Sequence, residues 1–490
     1  MPCWLAGAFA IVQVFIYCLG VRFDDRILCM AWHHLDSELL RHNLFQSLFY
    51  LHSQPPLFNL FLGIVLKLSS GYSTLVFHCS FLICSLVIYF SLFYVQFRLG
   101  VGRWLAFSLS TLFIVSPSCI AYGNRLYYSF AVAAILTGSA LLLQEFLVRQ
   151  KGWLAFCFFF SLFLVLGTRA LFHVSYFIGV AVMLIAFCRP IWRKVALGAA
   201  VPFLLIMSIY CKNLLVFGNF ATSSWLGMNA CNVVASTVSI EDRRKMVAEG
   251  KLSELALIDR FSPLDKYPLK YRDVQRYEDI PALTEAVKSD GSTNYNHIAY
   301  LRISQQYFED FLQLLKEHPS AYLKGVVQAY LIYFTPNVAF VAFLMDRDKI
   351  AFLENLYDTY FYGKFDIGLG LSDVRPFSLI PGYRIHLFLL LGLPLLLGYG
   401  LMLSLRTRAK SRPLDREQRI LVLYLCFNII YVAVVGNMLE LGENSRFRFL
   451  TDPFYIVLLG LFIQFFVRTR LSRVLRKLRS SKLPTQNPGQ

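Results

Sequence analysis

Ten nearly unbroken apolar runs punctuate the chain, at about residues 3–20, 74–95, 104–120, 126–147, 152–168, 170–187, 195–214, 384–405, 420–438 and 453–467. A helix that crosses a bilayer needs roughly 17–25 such residues, so each run predicts a transmembrane helix. An eleventh run, "PPLFNLFLGIVLKL" at 55–68, is shorter and opens on two prolines. Proline suits the first turn of a helix, where its missing N–H is no loss. The run therefore predicts a helix from about Pro56 that is interfacial or re-entrant. Residues 240–320 have another rhythm: in "SIEDRRKMVAEGKLSELALIDRF" and "NHIAYLRISQQYFEDFLQLLKEH" apolar residues recur at helical spacing among polar ones. That pattern predicts helices with one buried face.

Composition agrees with this pattern: 57% of the 490 residues are hydrophobic and only 16% charged, and the mean hydropathy is +0.54. These values define a polytopic membrane protein. The first run has no basic region before it and no small-residue cleavage site after it, so it reads as a retained signal anchor. The formal charge of +17 is concentrated in short segments beside apolar runs, including "RTRAKSRPLDREQR" (406–419) and "RTRLSRVLRKLRSSK" (468–482). Such placement fits the positive-inside rule and contact with anionic lipid, not nucleic acid.

The charge rule puts Arg98 and Arg103, Arg149 and Lys151, Arg189, Arg193 and Lys194, the 406–419 loop and both chain ends in the cytoplasm. This holds with residues 21–55 outside only if 56–68 is not a full span; a full span there would reverse several basic loops. Parity also places 217–383 outside, with "AYLIYFTPNVAFVAFL" (329–344), broken by Pro336, as a non-spanning or hairpin element. The expected organisation is an N-terminal membrane module over 1–216 with its first outer loop at 21–55. An exoplasmic domain follows over 217–383, then C-terminal membrane helices over 384–467 and a basic cytoplasmic tail over 468–490. The fold class expected is an all-α polytopic membrane protein of about 10–12 transmembrane helices. Most of the eleven cysteines lie in apolar runs; Cys29 and Cys231 fall in expected loops and are the one candidate disulfide pair.

Polar residues collect on the outer face. Asp24 and Asp25 follow the first span, and adjacent carboxylates can divide labour, one as general base and one orienting a substrate, or form a solvated helix end. His52 and Gln54 precede the prolines, and Asn124 and Arg125 lie in "AYGNRLYY". Arg169 interrupts a long apolar stretch, where a charge is retained for function or a specific pair. Glu443, Arg446 and Arg448 crowd one short loop, "GENSRFRF", against the positive-inside trend, as an anionic ligand or an internal Glu443–Arg446 pair would require. Asn296 and His297 either recognise an acceptor or cap the helix after them. The sequence contains no GxGxxG, Walker loop, HExxH or metal-spaced Cys/His cluster. A divalent ion at Asp24 and Asp25 is compatible with their spacing but not required by it.

In order along the chain, "FDD" (23–25), "HSQPPL" (52–57), "SPSCIAYGNRL" (116–126), "GTRA" (167–170) and "GENSRFRFLTDP" (442–453) resemble motifs of the GT-C class of integral-membrane glycosyltransferases. The likeness is to the branch of protein O-mannosyltransferases and lipid A aminoarabinose transferases. Two departures stand out: the acidic pair is Asp-Asp, and a Ser-Gln pair separates His52 from the prolines. Arg169 stands in place of the family's lysine, keeping the charge and adding a fork suited to phosphate. The resemblance implies transfer of a monosaccharide, with inversion, from a polyprenyl (dolichyl or undecaprenyl) phosphate to an acceptor hydroxyl on a lipid, glycan or protein. The expected membrane is a bacterial inner membrane or the endoplasmic reticulum, the site on its outer or lumenal face, with no cofactor required. By the same resemblance Asp24 or Asp25 is the base. Arg169, with Arg446 or Arg448 and Arg125, holds the donor phosphate. His52, Gln54, Asn124, Glu443, Asn296 and His297 contact substrate, and "SSWLGMN" (223–229) takes part in acceptor recognition. The rival expectations are a transporter of lipid-linked sugar and an O-antigen ligase or polymerase-like enzyme.

Overall fold

The computed structural model describes residues 3–69, 71–272, 277, 279–339, 347–365, 385–405 and 414–480. The chain is an all-α, polytopic membrane-type protein. Among the described residues five helices are long and apolar enough to cross a bilayer: Ser73–Arg98, Tyr128–Arg149, Arg189–Phe217, Leu387–Leu405 and Arg416–Leu439. The run expected at 104–120 is broken into Arg103–Val115 and Pro117–Gly123, bent by 58°. Pro117 has no N–H to continue the ladder, and the Ser116 side chain caps the new helix through the Cys119 N–H. Other apolar runs form shorter helices of 16, 17 and 14 residues at Cys3–Cys18, Gly152–Thr168 and Val174–Phe187. The last apolar run opens the long helix Asp452–Ser480.

Pro56–Leu68 is a helix of 13 residues with Pro56 in its first turn. At 1.5 Å per residue it is about 20 Å long, well short of a hydrocarbon core of about 30 Å. It packs against the end of Gly152–Thr168, with Leu57 over Gly167; a Cβ on that glycine would sit 2.4 Å from Leu57 Cδ1. Gly152–Thr168 itself lies between Tyr128–Arg149 and Trp192–Phe217. Gly198 meets the Ala155 backbone there at a distance that leaves no room for a side chain. Leu197, Leu204, Leu215 and Leu395 point outward, as the lipid-facing side of a membrane bundle does. Of the segments expected to form a hairpin or basic loops, 340–346, 406–413 and 481–490 lie outside the described residues.

Residues 218–333 form a second, polar unit with its own core. Helix Leu226–Ala235 packs on Ala299–Glu317 and Pro319–Tyr333, burying Met228, Cys231, Val234, Ile303, Tyr307 and Leu314. Both patterned stretches of this region are helical, at Ile240–Ala248 and Ala299–Glu317. The unit joins the bundle where Val233 and Ile332 meet Leu441, and Asn232 donates to the Leu441 carbonyl at 3.0 Å. The candidate disulfide does not form: Cys29 and Cys231 are both free thiols. Cys231 lies in a helix, not a loop, and its thiol is spent on the core. A pair of two-residue strands, Lys364–Phe365 and Ile385–His386, is a small exception to the all-helical expectation.

Close helix approach in this unit depends on two glycines. A Cβ on Gly227 would meet the Ser304 carbonyl oxygen at 1.8 Å, and one on Gly325 would meet that of Val233 at 2.0 Å. Backbone atoms cannot rotate away, so Gly227→Ala should separate the helices and cost about 1–3 kcal/mol, seen as a lower thermal midpoint of the detergent-solubilised protein. Gly392→Ala, where nothing lies within 4 Å of the added carbon, should leave the midpoint unchanged. Equal midpoints for the two variants would refute this packing.

Candidate functional site

The segment between the first helix and Pro56 is folded, not a free loop. It carries three short helices, Ile27–Met30, Ser37–His42 and Leu44–Phe49, and is anchored at its end by a polar clamp. The Asn296 side-chain oxygen accepts from the His52 and Ser53 N–H groups at 3.0 and 3.1 Å. Its amide nitrogen donates to the carbonyls of Tyr50 and Ala282. The His52 ring reaches the Asn296 carbonyl through Nε2 at 2.9 Å and Ser224 Oγ through Nδ1 at 2.8 Å. That carbonyl can only accept, so Nε2 carries the proton and Nδ1 accepts from the serine. Two further lysines bind carbonyls of this segment, Lys288 that of Ala31 and Lys212 that of Leu51. Within the short helix, Asn59 bonds the backbone of His33 and Leu35, which fixes His33 in place.

Above the clamp is a cavity of about 1180 Å³ between the bundle and the polar unit. One wall includes His33, Gln54, Tyr128, Arg169, Tyr431, Glu440, Glu443, Arg446 and Phe447 of the bundle and its connecting segments, and the other includes Ser223, Trp225, Asn229, Asn232, Arg243, Arg260 and Phe261 of the polar unit. Arg169 is 4% exposed and Arg446 1%, so both cations are held by protein and not by bulk water. Arg169 follows the last turn of Gly152–Thr168 and donates to Ser129 Oγ at 3.1 Å. Arg446 donates to the Tyr127 hydroxyl and pairs with Glu443. The rings of Tyr128 and Phe447 face both guanidinium groups, with centroids 5.0 and 4.6 Å from Arg169 and 5.5 and 5.8 Å from Arg446. These contacts lower the cost of two like charges near each other.

The turn that delivers Glu440, Glu443 and Arg446 depends on Gly442, whose φ of 134° few side chains tolerate. Buried Asn444 closes it, accepting from the Gly442 N–H and donating to the Glu440 carbonyl, both at 2.9 Å. Burial raises the pKa of the Glu440 carboxyl, and the charges of Arg446 and Arg169 work against that rise. Burial and the Arg446 charge hold His33 neutral, well below the usual imidazole range. Phe261, at φ 60° in the left-handed region, sets its ring 5.1 Å from that of Trp225 across the wall.

The structure thus brings Gln54, Arg169, Glu443 and Arg446 to one cavity, along with Ser223, Trp225, Leu226 and Asn229 of "SSWLGMN". The other expected residues lie elsewhere. Asp24 bonds Arg26 through both carboxylate oxygens, at 2.9 and 2.8 Å, and pairs with Arg125 at 3.4 Å; its backbone and that of Arg125 form a short bridge. The Arg26 hydrogen bonds hold Asp24 below the usual carboxylate range against the effect of burial. Asp25 accepts from Thr74 Oγ1 at 2.6 Å, so the two carboxylates part and do not share a cation. Asn124 caps its own helix and accepts from the Asp24 N–H. Arg448 is absorbed by the carbonyls of Tyr333 and Thr335, Asn337 Oδ1 and Asp452. Asn296 and His52 form the clamp, and His297 Nδ1 accepts from the Ala299 N–H at the start of the helix. Among the described residues no group of three or more His, Cys, Asp or Glu side chains could hold a metal ion.

Compared with known proteins, the chain matches no family model, no curated protein and no solved structure.

The clamp makes two measurable demands. Asn296→Ala leaves several buried backbone groups unpaired and should cost about 3 kcal/mol, read as a lower thermal midpoint; an unchanged midpoint would show the clamp to be dispensable. Burial also pushes His52 and His34 down to about 3, whereas an unfolded histidine titrates near 6.5. Between those values the unfolded state binds more protons, so stability is complete above about pH 6.5 and is lost as the pH falls toward 3. The thermal midpoint should therefore drop between pH 7 and pH 5, and His52→Gln should flatten that slope.

Proposed function

We propose that this chain is a membrane glycosyltransferase that moves a monosaccharide from a polyprenyl phosphate to an acceptor hydroxyl. The observation that carries the reading is the placement of Arg169 and Arg446, both nearly fully buried, on the wall of one large cavity beside the membrane helices. A guanidinium fork binds phosphate oxygens through paired N–H groups. Two such groups stabilise the charge that grows on a departing lipid phosphate. Trp32, Trp225, Tyr128 and Phe261 line the same space and offer flat apolar faces to a sugar ring. The cavity lies between apolar helices and a polar unit, which accommodates a donor with a prenyl tail and a hydrophilic head.

In this reading the cavity faces the outer or lumenal side and both termini are cytoplasmic. The proton of the acceptor hydroxyl goes to Glu440. A general base has to reach its proton within hydrogen-bond distance, and Glu440 lines the cavity whereas Asp24 and Asp25 do not. A carboxyl whose pKa burial has raised is also a better base near neutral pH than Asp24, which Arg26 holds down. Attack of the acceptor oxygen on the anomeric carbon expels the lipid phosphate onto Arg169 and Arg446. One displacement inverts the anomeric centre.

Transfer should be measured with the purified full chain, a polyprenyl-phosphate monosaccharide and a panel of lipid, glycan and peptide acceptors. Glu440→Gln should lower turnover by about 10²–10⁴-fold, and Arg169→Gln or Arg446→Gln by about 10²–10³-fold. Asp24→Asn and Asp25→Asn should retain most activity if the variants fold. Undiminished transfer in the Glu440 and arginine variants would reject this site; movement of the lipid across liposomes without transfer would identify a transporter.

A further inference from the structure

The wall of the cavity opposite Arg169 and Arg446 carries a second pair of cations that this reaction scheme leaves unused. Arg243 projects from helix Ile240–Ala248 and Arg260 from the stretch after Glu254–Leu257; both line the cavity with Asn229, Asn232 and Asp259. One terminal nitrogen of Arg243 donates to the Ala256 carbonyl at 2.6 Å, and one of Arg260 to Asn232 Oδ1 at 2.7 Å. The Nε–H of each is buried without a hydrogen-bond partner among the described residues. Two arginines close enough to repel, with buried donors unspent, are costly unless an anion joins them. Asp259 offsets one of the two charges and leaves a net positive wall. Burial and the neighbouring Arg260 both lower the Arg243 pKa, as expected of a cation short of counter-charge.

We infer that Arg243 and Arg260 form an oxyanion subsite that receives an acidic group, phosphate or carboxylate, on the acceptor glycan. The two cation pairs divide the cavity. Arg169 and Arg446 lie on the membrane side, where a lipid phosphate arrives. Arg243 and Arg260 lie on the polar unit, reached from water, with the Asn229 and Asn232 side chains and the Trp225 and Phe261 rings beside them. An acceptor bound at both its acidic group and its ring would present a hydroxyl toward Glu440. The acceptor role rests on the transferase reading; the oxyanion preference of this wall does not.

The test uses the full chain in nanodiscs, saturated with undecaprenyl phosphate so that the membrane-side arginines are occupied. Binding of glucose, glucose 6-phosphate and glucuronate is then compared by calorimetry. At least one acidic sugar should bind tenfold or more tightly than glucose, and which one does identifies the oxyanion. The preference should vanish in Arg243→Gln/Arg260→Gln and return in the Arg243→Lys/Arg260→Lys variant, which keeps the charge. For the wild type it should also shrink between about 0.05 and about 0.5 M salt, a readout that needs no variant to fold. Equal binding of the three sugars, or a preference that survives in the glutamine variant, overturns the inference. Failure of the lipid phosphate to bind counts against the transferase reading alone, because the choice among the three sugars is read separately.

Discussion

The junction between the bundle and the polar unit is organised around the cost of burying Arg169 and Arg446. A cation removed from water needs hydrogen bonds and counter-charge nearby, and both residues are withdrawn almost completely. Ser129, Tyr127, Glu443 and the Tyr128 and Phe447 rings supply part of that compensation. Tyr127, Tyr128 and Ser129 come from the start of helix Tyr128–Arg149, and Glu443 and Phe447 from the short helix Asn444–Phe449 and its cap, so satisfying the two guanidinium groups fixes how these two elements meet. Gly442 and Asn444 shape the turn that brings Glu440 and Glu443 to the same place. The Glu440 carboxyl then sits within electrostatic reach of both cations while facing the cavity.

The clamp on the opposite side of the cavity explains why the early segment can be precise. His52 and Asn296 are 244 positions apart, yet their hydrogen bonds pin the approach to Pro56. From there Asn59 orients the backbone around His33. The polar unit is therefore part of the site's foundation, and a change in its seating would move Gln54, His33 and Trp225 together.

The pattern of apolar runs was enough to read the class of fold, because lipid requires long uninterrupted apolar helices and leaves few alternatives. It also marked Arg169, an isolated charge beside such a helix, and Arg446, one of three charges crowded into one short loop between apolar helices, since such charges carry a cost visible without coordinates. The break at Ser116–Pro117 was less legible, because the apolar run continues through it and only proline chemistry divides it. Asp24, Arg125 and Arg448 look like ligands in one dimension, but Asp24 is held by its neighbour Arg26 and by Arg125, and Arg448 by Tyr333, Thr335 and Asn337, which only the fold brings near. His52 was misleading for the same reason: beside two prolines it resembles a substrate contact, and its ring is spent on Ser224 and Asn296. Glu440 had a faint signal, an acid at the end of an apolar helix in "MLELGENSRF", which the nearby Glu443 and arginines obscured. Arg243 and Arg260 had none, because charged residues in an amphipathic stretch with a solvated face are ordinary.

Two substrates of opposite character impose a geometric problem on any enzyme that joins them. A prenyl chain is soluble only among apolar helices, whereas a glycan head and its acceptor need hydrogen bonds. A cavity built wholly within the bundle would leave the acceptor's hydroxyls unsatisfied, at a cost of a few kcal/mol for each buried polar group; one built wholly in the polar unit would strip the donor of its lipid surroundings. A cavity at the seam avoids both costs, provided the seam is rigid enough to hold the reacting groups in register. In the proposed transferase that rigidity would come from the His52–Asn296 clamp on one side and the buried arginines on the other. The polar groups that hold the seam together are therefore the same kind of groups that line the site, and this is why so many charged residues of the sequence prove structural while only a few reach the cavity.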